Sequence, residues 1–232
     1  MVFPPLSVSA TPPQPISNLA VGSSVFCNVG GAKTEFIVVH QGKPSDMYDD
    51  SCNGAWLLMK DIFWKRVWQS GNINKYESSD IYDYLNKTFL NLFNSNVKDA
   101  IKQVKIPYRK DGGSGGVDQR GANGLSTKIF LLSGYEVGWT TSDNQHFPVD
   151  GAKLDYFTAS SGGNSKRIAT YSGSDASWWL RSPVTDGTNF VWDVASNGGY
   201  SNDLAAASCG IRPALILPSN TLIDSSGNIV LE

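Results

Sequence analysis

The chain has 232 residues, enough to bury a sizeable core, with 41% hydrophobic residues, 17% charged residues and a formal net charge of -2. That balance describes a globular chain with a rather neutral surface, and it excludes general nucleic-acid binding, which needs a clustered basic excess. No apolar run reaches the length of a membrane span, so membrane insertion is not expected.

Seven Trp, nine Tyr and ten Phe stand beside 23 Gly. Aromatic rings carry large buried area and glycine supplies turns, a mixture suited to many short strands joined by loops. The chain opens on a Pro-rich stretch holding Pro4, Pro5, Pro12, Pro13 and Pro15. This reads as an extended arm or linker over residues 1–20, with the folded domain over residues 21–232. Met1 to Pro5 lacks the basic and apolar regions of a secretory signal.

From residue 23 onward strand signals dominate. Ser24 to Val29 and Glu35 to His40 are β-rich runs separated by Gly30-Gly31, a hairpin signal. Ala55 to Lys60 is a further strand, which Asp61 to Trp68 either continues or ends as an irregular segment. Two helices follow. Ser79 to Leu90 has a capping start, with Ile81, Leu85, Phe89 and Leu92 at helical period. Asn96 to Val104 places Val97, Ala100, Ile101 and Val104 on one stripe, with Pro107 ending it. Lys and Arg recur from Lys98 to Lys110, interrupted by Asp99 and Asp111, and this reads as a solvated helix face.

Asp111 to Gly116 reads as a flexible loop. It neither follows a strand nor opens a helix, so it is not a phosphate cradle. Ser126 to Gly134 reads as a strand and residues 143–175 as mostly loop. The last part is β: Ser177 to Arg181, Phe190 to Ser196, a type I′ turn at Asn197-Gly198, then Gly210 to Leu217 and Asn228 to Leu231.

Cys27, Cys52 and Cys209 form no Cys-x-x-Cys arrangement, which excludes a disulfide framework and a zinc ribbon and leaves a single bridge open. His40 and His146 have no acidic ligands at metal spacing. Asp46, Asp49, Asp50, Asp143, Asp150 and Asp155 read as scattered surface carboxylates, and Asp49, Asp50 and Asn53 fit no EF-hand loop. No nucleophile elbow is present. No catalytic residue, metal or cofactor is therefore expected.

The most informative tract is Ser177 to Leu217. Trp178-Trp179-Leu180-Arg181-Ser182-Pro183 and Gly210-Ile211-Arg212-Pro213-Ala214-Leu215 bracket a polar, small-residue segment. Bracing such a segment at both ends is how a scaffold displays a binding surface. Alternation from Val191 to Ser196 puts Trp192 and Val194 on a core face and Asp193 and Ala195 on an outward one. Arg181 and Arg212 read as loop stitches, a guanidinium having five donors to share among carbonyls and carboxylates.

These two blocks, with Ser196-Asn197-Gly198, the helical Tyr84 to Leu90 and Ile101 to Tyr108, resemble proteins of the C-type lectin fold. The likeness is to the variable proteins of diversity-generating retroelements and to related domains common in gut Firmicutes and their phages. It covers about Val21 to Pro218. The resemblance implies an α+β C-type lectin fold, two helices packed on twisted antiparallel sheets with long loops. It implies variable, ligand-binding positions at Thr185, Asp186, Asn189, Phe190, Asp193, Ala195, Tyr200, Ser201, Asn202, Asp203, Leu204, Ala205, Ala206, Ala207 and Cys209. Trp178, Trp179, Arg181, Trp192, Gly210 and Arg212 would be scaffold. The fold is also similar to that of formylglycine-generating enzymes, but their catalytic cysteine pair is not evident, and neither is the calcium-ligand motif of animal lectins.

The expected function is therefore ligand display without catalysis. The setting would be a phage tail adhesin that recognises a host-cell surface protein or glycan, alone, as a homo-oligomer such as a trimer, or joined to a larger assembly by the N-terminal arm. The alternatives are a formylglycine-generating-type oxidoreductase and a purely structural virion or cell-surface module. The bacterial cytoplasm, or the cell surface by a non-classical route, is the other location left open.

Overall fold

A computed structural model describes residues 11–158 and 164–231. The architecture is α+β, dominated by sheet with few helical turns. The strands that matter below are β1 (Ser24–Val29), β2 (Ala32–Gly42), β3 (Gly54–Met59), β4 (Trp64–Val67), β5 (Ile129–Phe130), β6 (Trp178–Pro183), β7 (Phe190–Val194), β8 (Tyr200–Leu204), β9 (Ser208–Ile211) and β10 (Ala214–Leu217). They form two five-stranded sheets, ordered β5-β10-β3-β2-β1 and β8-β7-β6-β9-β4. The first is antiparallel throughout; in the second, β6 and β9 run parallel.

The inner strands of both sheets are covered on both faces, which explains why Gly54–Met59 and Trp178–Pro183 are buried from end to end. Successive side chains enter opposite cores, as the pleat requires. Leu57, Leu215, Trp179, Val191 and Ile211 fill one core, and Trp56, Leu58, Trp178, Leu180, Trp192 and Val194 fill the other. The helical stripe Ile81, Leu85 and Phe89 packs into the first core, together with Val97 and Ile101.

Several elements depart from the sequence expectations. The first helical segment begins at Ser79, whose hydroxyl accepts the Tyr82 N–H at 3.1 Å. Its winding then changes from α over Asp80–Asp83 to π over Tyr84–Thr88 and to 3₁₀ over Phe89–Leu92. The second helix, Ser95–Ala100, is shorter than expected, because Val104–Ile106 is a strand paired with Leu125–Thr127. Two β-branched residues beside a partner strand outweigh the helical stripe there. The Lys-rich stretch after Lys98 is accordingly not one helix face.

The run from Gly210 to Leu217 is not a single strand. It breaks at Arg212-Pro213, and its halves join different sheets: β9 pairs with β4 and β10 with β3. Proline offers no N–H to continue a ladder. The Gly30-Gly31 turn has both residues at positive φ, 60° and 84°, as a type I′ turn needs. At Asn197-Gly198 only the glycine does, with φ 78°. The Gly198 N–H donates to the Ala195 carbonyl at 2.8 Å and the Ala195 N–H to the Gly199 carbonyl at 2.8 Å. That turn is a three-residue loop ending in a left-handed glycine, rather than the two-residue type I′ turn.

The arm expected over residues 1–20 is shorter where described. Gln14–Pro15 pairs with Leu222–Ile223, and Ile16 is fully buried in the first core. The domain thus begins by Gln14, while Pro4 and Pro5 lie outside the described residues, as do residues 159–163 of the expected 143–175 loop. All three cysteines are free thiols. Among the described residues no helix is long and apolar enough to cross a membrane.

Candidate functional site: a displayed hairpin on a buried frame

The framework is built around Arg181, fully buried on β6. Its five N–H donors are all used: Nε to the Pro107 carbonyl at 3.0 Å, the terminal nitrogens to the Leu131 and Asp150 carbonyls and to both oxygens of Glu136 at 2.6 and 2.7 Å. Glu136 also accepts the Tyr48 hydroxyl at 2.8 Å and the Ser133 N–H at 2.9 Å. Burial disfavours the guanidinium charge, but the adjacent Glu136 carboxylate holds the Arg181 pKa above its ordinary value. Arg181 is therefore a loop stitch, as the sequence suggested.

Asp150 is not a surface carboxylate. It is fully buried, accepts the Ser182 hydroxyl at 2.7 Å, and burial pushes its carboxyl up to about 7. Arg212 is also buried; its Nε donates to the Met59 carbonyl at 2.8 Å and its plane lies 5.0 Å from the Trp178 ring. Trp192 stacks on Phe147 with centroids 4.1 Å apart. Trp178, Trp179, Arg181, Trp192, Gly210 and Arg212, the expected scaffold, are all buried.

On this frame stands the β7–β8 hairpin, with β8 at the edge of its sheet. Phe190 and Leu204 face each other across the two strands and are 38% and 37% exposed. The segment at residues 69–74 is tied to the same end of the hairpin. Gln69 N–H donates to the Ala205 carbonyl at 2.8 Å, Asn74 N–H to the Thr188 carbonyl at 2.9 Å, and Ala206 N–H to the Asn72 side chain at 3.2 Å. It brings up Ile73, 47% exposed. Three of the five large apolar side chains exposed among the described residues thus gather at one end of one sheet. Beside them lies a cleft of about 500 Å³ lined by Ile73, Lys75, Asp111, Ser114 and Thr188.

The loop at residues 184–190 is fixed in place. The Asn74 side chain, itself buried, donates to the Gly187 and Phe190 carbonyls at 3.2 and 2.8 Å and accepts the Gly113 N–H at 3.0 Å. A Cβ on Gly113 would stand 2.0 Å from the Val184 carbonyl oxygen, so only glycine fits there. The stretch from Asp111 to Gly116, expected as a flexible loop, is a docked brace in which Ser114 N–H donates to the Gly187 carbonyl at 2.8 Å.

The variable positions suggested by resemblance separate into three groups. Asp186, Phe190, Asn202, Asp203, Leu204 and Ala206 are exposed. Thr185, Asn189, Ala195, Tyr200, Ser201 and Ala207 are half-buried. The ring of Tyr200 packs edge-on against Trp139, Phe147 and Trp192, so this side chain anchors more than it displays. Asp193, Ala205 and Cys209 are buried. Strand alternation around Asp193 is as expected, but its face is covered too, since Val191 and Ala205 belong to the first core. Asp193 is 4% exposed, and burial, with the charge of Asp203, pushes its carboxyl up to about 7.

Cys209 and Cys52 are buried, and burial pushes both thiols up to about 12, far from the thiolate a nucleophile needs. Asp49 is committed to the Ser51 N–H at 2.9 Å and Asp155 stands 2.9 Å from His40. Sequence reasoning missed Ile73, Asn72 and Asn74. Only the polar Asn72-Ile73-Asn74 stretch hinted at them, and nothing local links it to residues more than a hundred positions away.

A sheet-rich α+β domain that lifts an edge hairpin over a buried, fully bonded arginine is the class this structure defines. The chain belongs to the family described as domain of unknown function DUF6273, whose model matches residues 53–219, from just before β3 to just past β10. Neither the curated proteins nor the solved structures include a match to it.

Proposed function

We propose that this protein is a binding module of the C-type lectin fold that presents the β7–β8 hairpin to a partner and performs no catalysis. The observation that carries the reading is the gathering of Phe190, Leu204 and Ile73 with exposed Asn202, Asp203 and Ala206 on a hairpin whose underside is immobilised. Rigid apolar anchors ringed by polar side chains are what binding surfaces use. The resemblance to variable proteins of diversity-generating retroelements supports the same end of the molecule as the ligand face. Its most natural setting is a phage tail adhesin contacting a host-cell surface protein or glycan. A thiol-based oxidoreductase finds no support in Cys52 and Cys209, whose thiols stay protonated at neutral pH.

The test is a display library randomised at Phe190, Asn202, Asp203, Leu204 and Ala206, selected against purified bacterial surface proteins and glycans. Most members should fold, and distinct binders should emerge for distinct targets. A library that largely fails to fold, or that yields no binder beyond the parent, overturns the proposal.

A further inference from the structure

The exposed side of β8 carries information beyond its side chains. In an antiparallel pair, residues alternate between those that bond their partner and those whose N–H and C=O point away. The bonds from Ala195 N–H to the Gly199 carbonyl and from Ala205 N–H to the Asn189 carbonyl fix the parity. Ser201 and Asp203, opposite Asp193 and Val191, therefore bond inward, and Tyr200, Asn202 and Leu204 turn their backbone groups outward. The Leu204 N–H is taken by the Asp203 carboxylate at 2.7 Å and its carbonyl by the Ala207 N–H at 2.8 Å. Among the described residues, nothing takes the outward groups of Tyr200 and Asn202.

The outer edge of β1, by contrast, is closed: Phe26 N–H donates to the Gly227 carbonyl and Gly30 N–H to the Leu92 carbonyl, each at 2.8 Å. Proteins cover or charge their edges because an open one pairs with any extended chain. The β8 edge is open next to the displayed patch, and its two faces differ. Leu204 and Phe190 lie on one face. Asp203 lies on the other, beside Asp193, and neither carboxylate belongs to an ion pair among the described residues.

We infer that the partner adds an extended peptide strand to the edge of β8, with apolar residues alternating with Lys or Arg. Side chains of period two would place the apolar residues beside Leu204 and Phe190 and the cations beside Asp203. This rests on the display reading and specifies its partner as a polypeptide recognised partly through its backbone.

The experiment uses the whole chain and a short peptide alternating Lys and Val, with a Glu/Val peptide as control, read by binding titration and residue-resolved amide exchange. The Lys/Val peptide should slow exchange at Tyr200 and Asn202, and the Glu/Val peptide should bind about tenfold or more weakly. Asn202→Pro removes an outward N–H and should abolish binding, whereas Asn202→Ala should preserve it. Asp203→Lys keeps the outward groups of Tyr200 and Asn202, though it frees the Leu204 N–H; it should weaken the Lys/Val peptide and favour the Glu/Val peptide, and it decides the matter if the proline variant fails to fold. Binding that survives Asn202→Pro in a folded variant, equal binding of both peptides, or no protection at Tyr200 and Asn202 overturns strand addition. So does self-association of the chain through this edge. If no peptide binds but the randomised library still yields binders, strand addition falls and the display reading stands.

Discussion

Two regions separated by one strand obey opposite rules. All five donors of Arg181 are matched, the side chains around it are buried, and its charge has a carboxylate within 2.7 Å. On the β7–β8 hairpin the apolar side chains of Phe190 and Leu204 meet water, and Asp203 has no cation partner among the described residues. The first region cannot change without leaving groups unsatisfied in a low-dielectric interior; the exposed side chains of the second can change because water solvates whatever replaces them. The strand β6 touches both regimes, with Arg181 in the network and Trp179 opposite Asp193 of the hairpin. Rigidity behind the surface is what allows variety upon it.

The largest expected effect lies in the frame. Glu136→Gln leaves the Arg181 guanidinium buried without its counter-charge and should cost about 3–5 kcal/mol, read as a lowered urea midpoint. A loss no greater than that of a surface substitution would break the comparison at its stronger end.

A pH series gives the next effect. Asp150 and Asp193 both have carboxyls pushed up to about 7, by burial first in each case. The folded state therefore holds protons that the unfolded chain releases near about pH 4. Their contribution is fully present below that value and is lost as pH rises towards and through 7. Between pH 5 and pH 8 the protein should lose on the order of a few kcal/mol of stability, since a tenfold difference in proton affinity corresponds to about 1.4 kcal/mol. Asp150→Asn and Asp193→Asn should each flatten that slope. The carboxylates of Asp49, Asp80 and Asp224, held low by hydrogen bonds, titrate below the window and with the opposite sign.

Asn74→Ala sharpens the boundary between the regions. It leaves the Gly187 and Phe190 carbonyls and the Gly113 N–H without this partner, a cost of about 1–3 kcal/mol. Amide exchange should quicken over residues 184–190 while Arg181 and its neighbours stay protected. Uniform quickening would mean that the loop and the frame are one cooperative unit.

How much of this the sequence could reveal depends on the range of the interaction. The Gly30-Gly31 hairpin, the Ser79 cap and the buried tryptophan blocks follow from local chemistry and were legible. The partner of Arg181 was not, because Glu136 lies 45 positions away and looks like any other glutamate. Asp193 was misplaced for a similar reason. Alternation tells which residues share a face, but not whether a second core covers that face. The proline in Gly210 to Leu217 marked the point where the chain changes sheets, and only the pairing partners reveal that it does.

The smallest effects probe the hairpin residue by residue, at Leu204, Ala205 and Ala206. Leu204 and Ala206 are exposed and flank Ala205, which is fully buried in the first core. Leu204→Ser and Ala206→Ser should each change stability by less than about 0.5 kcal/mol. Ala205→Leu must force methylenes into a filled space and should cost about 1–3 kcal/mol. Thermal melts of the three variants measure whether display and packing alternate within a single turn. Equal losses at all three would place the whole turn inside the core, leaving too little free surface for the hairpin to be a site of recognition.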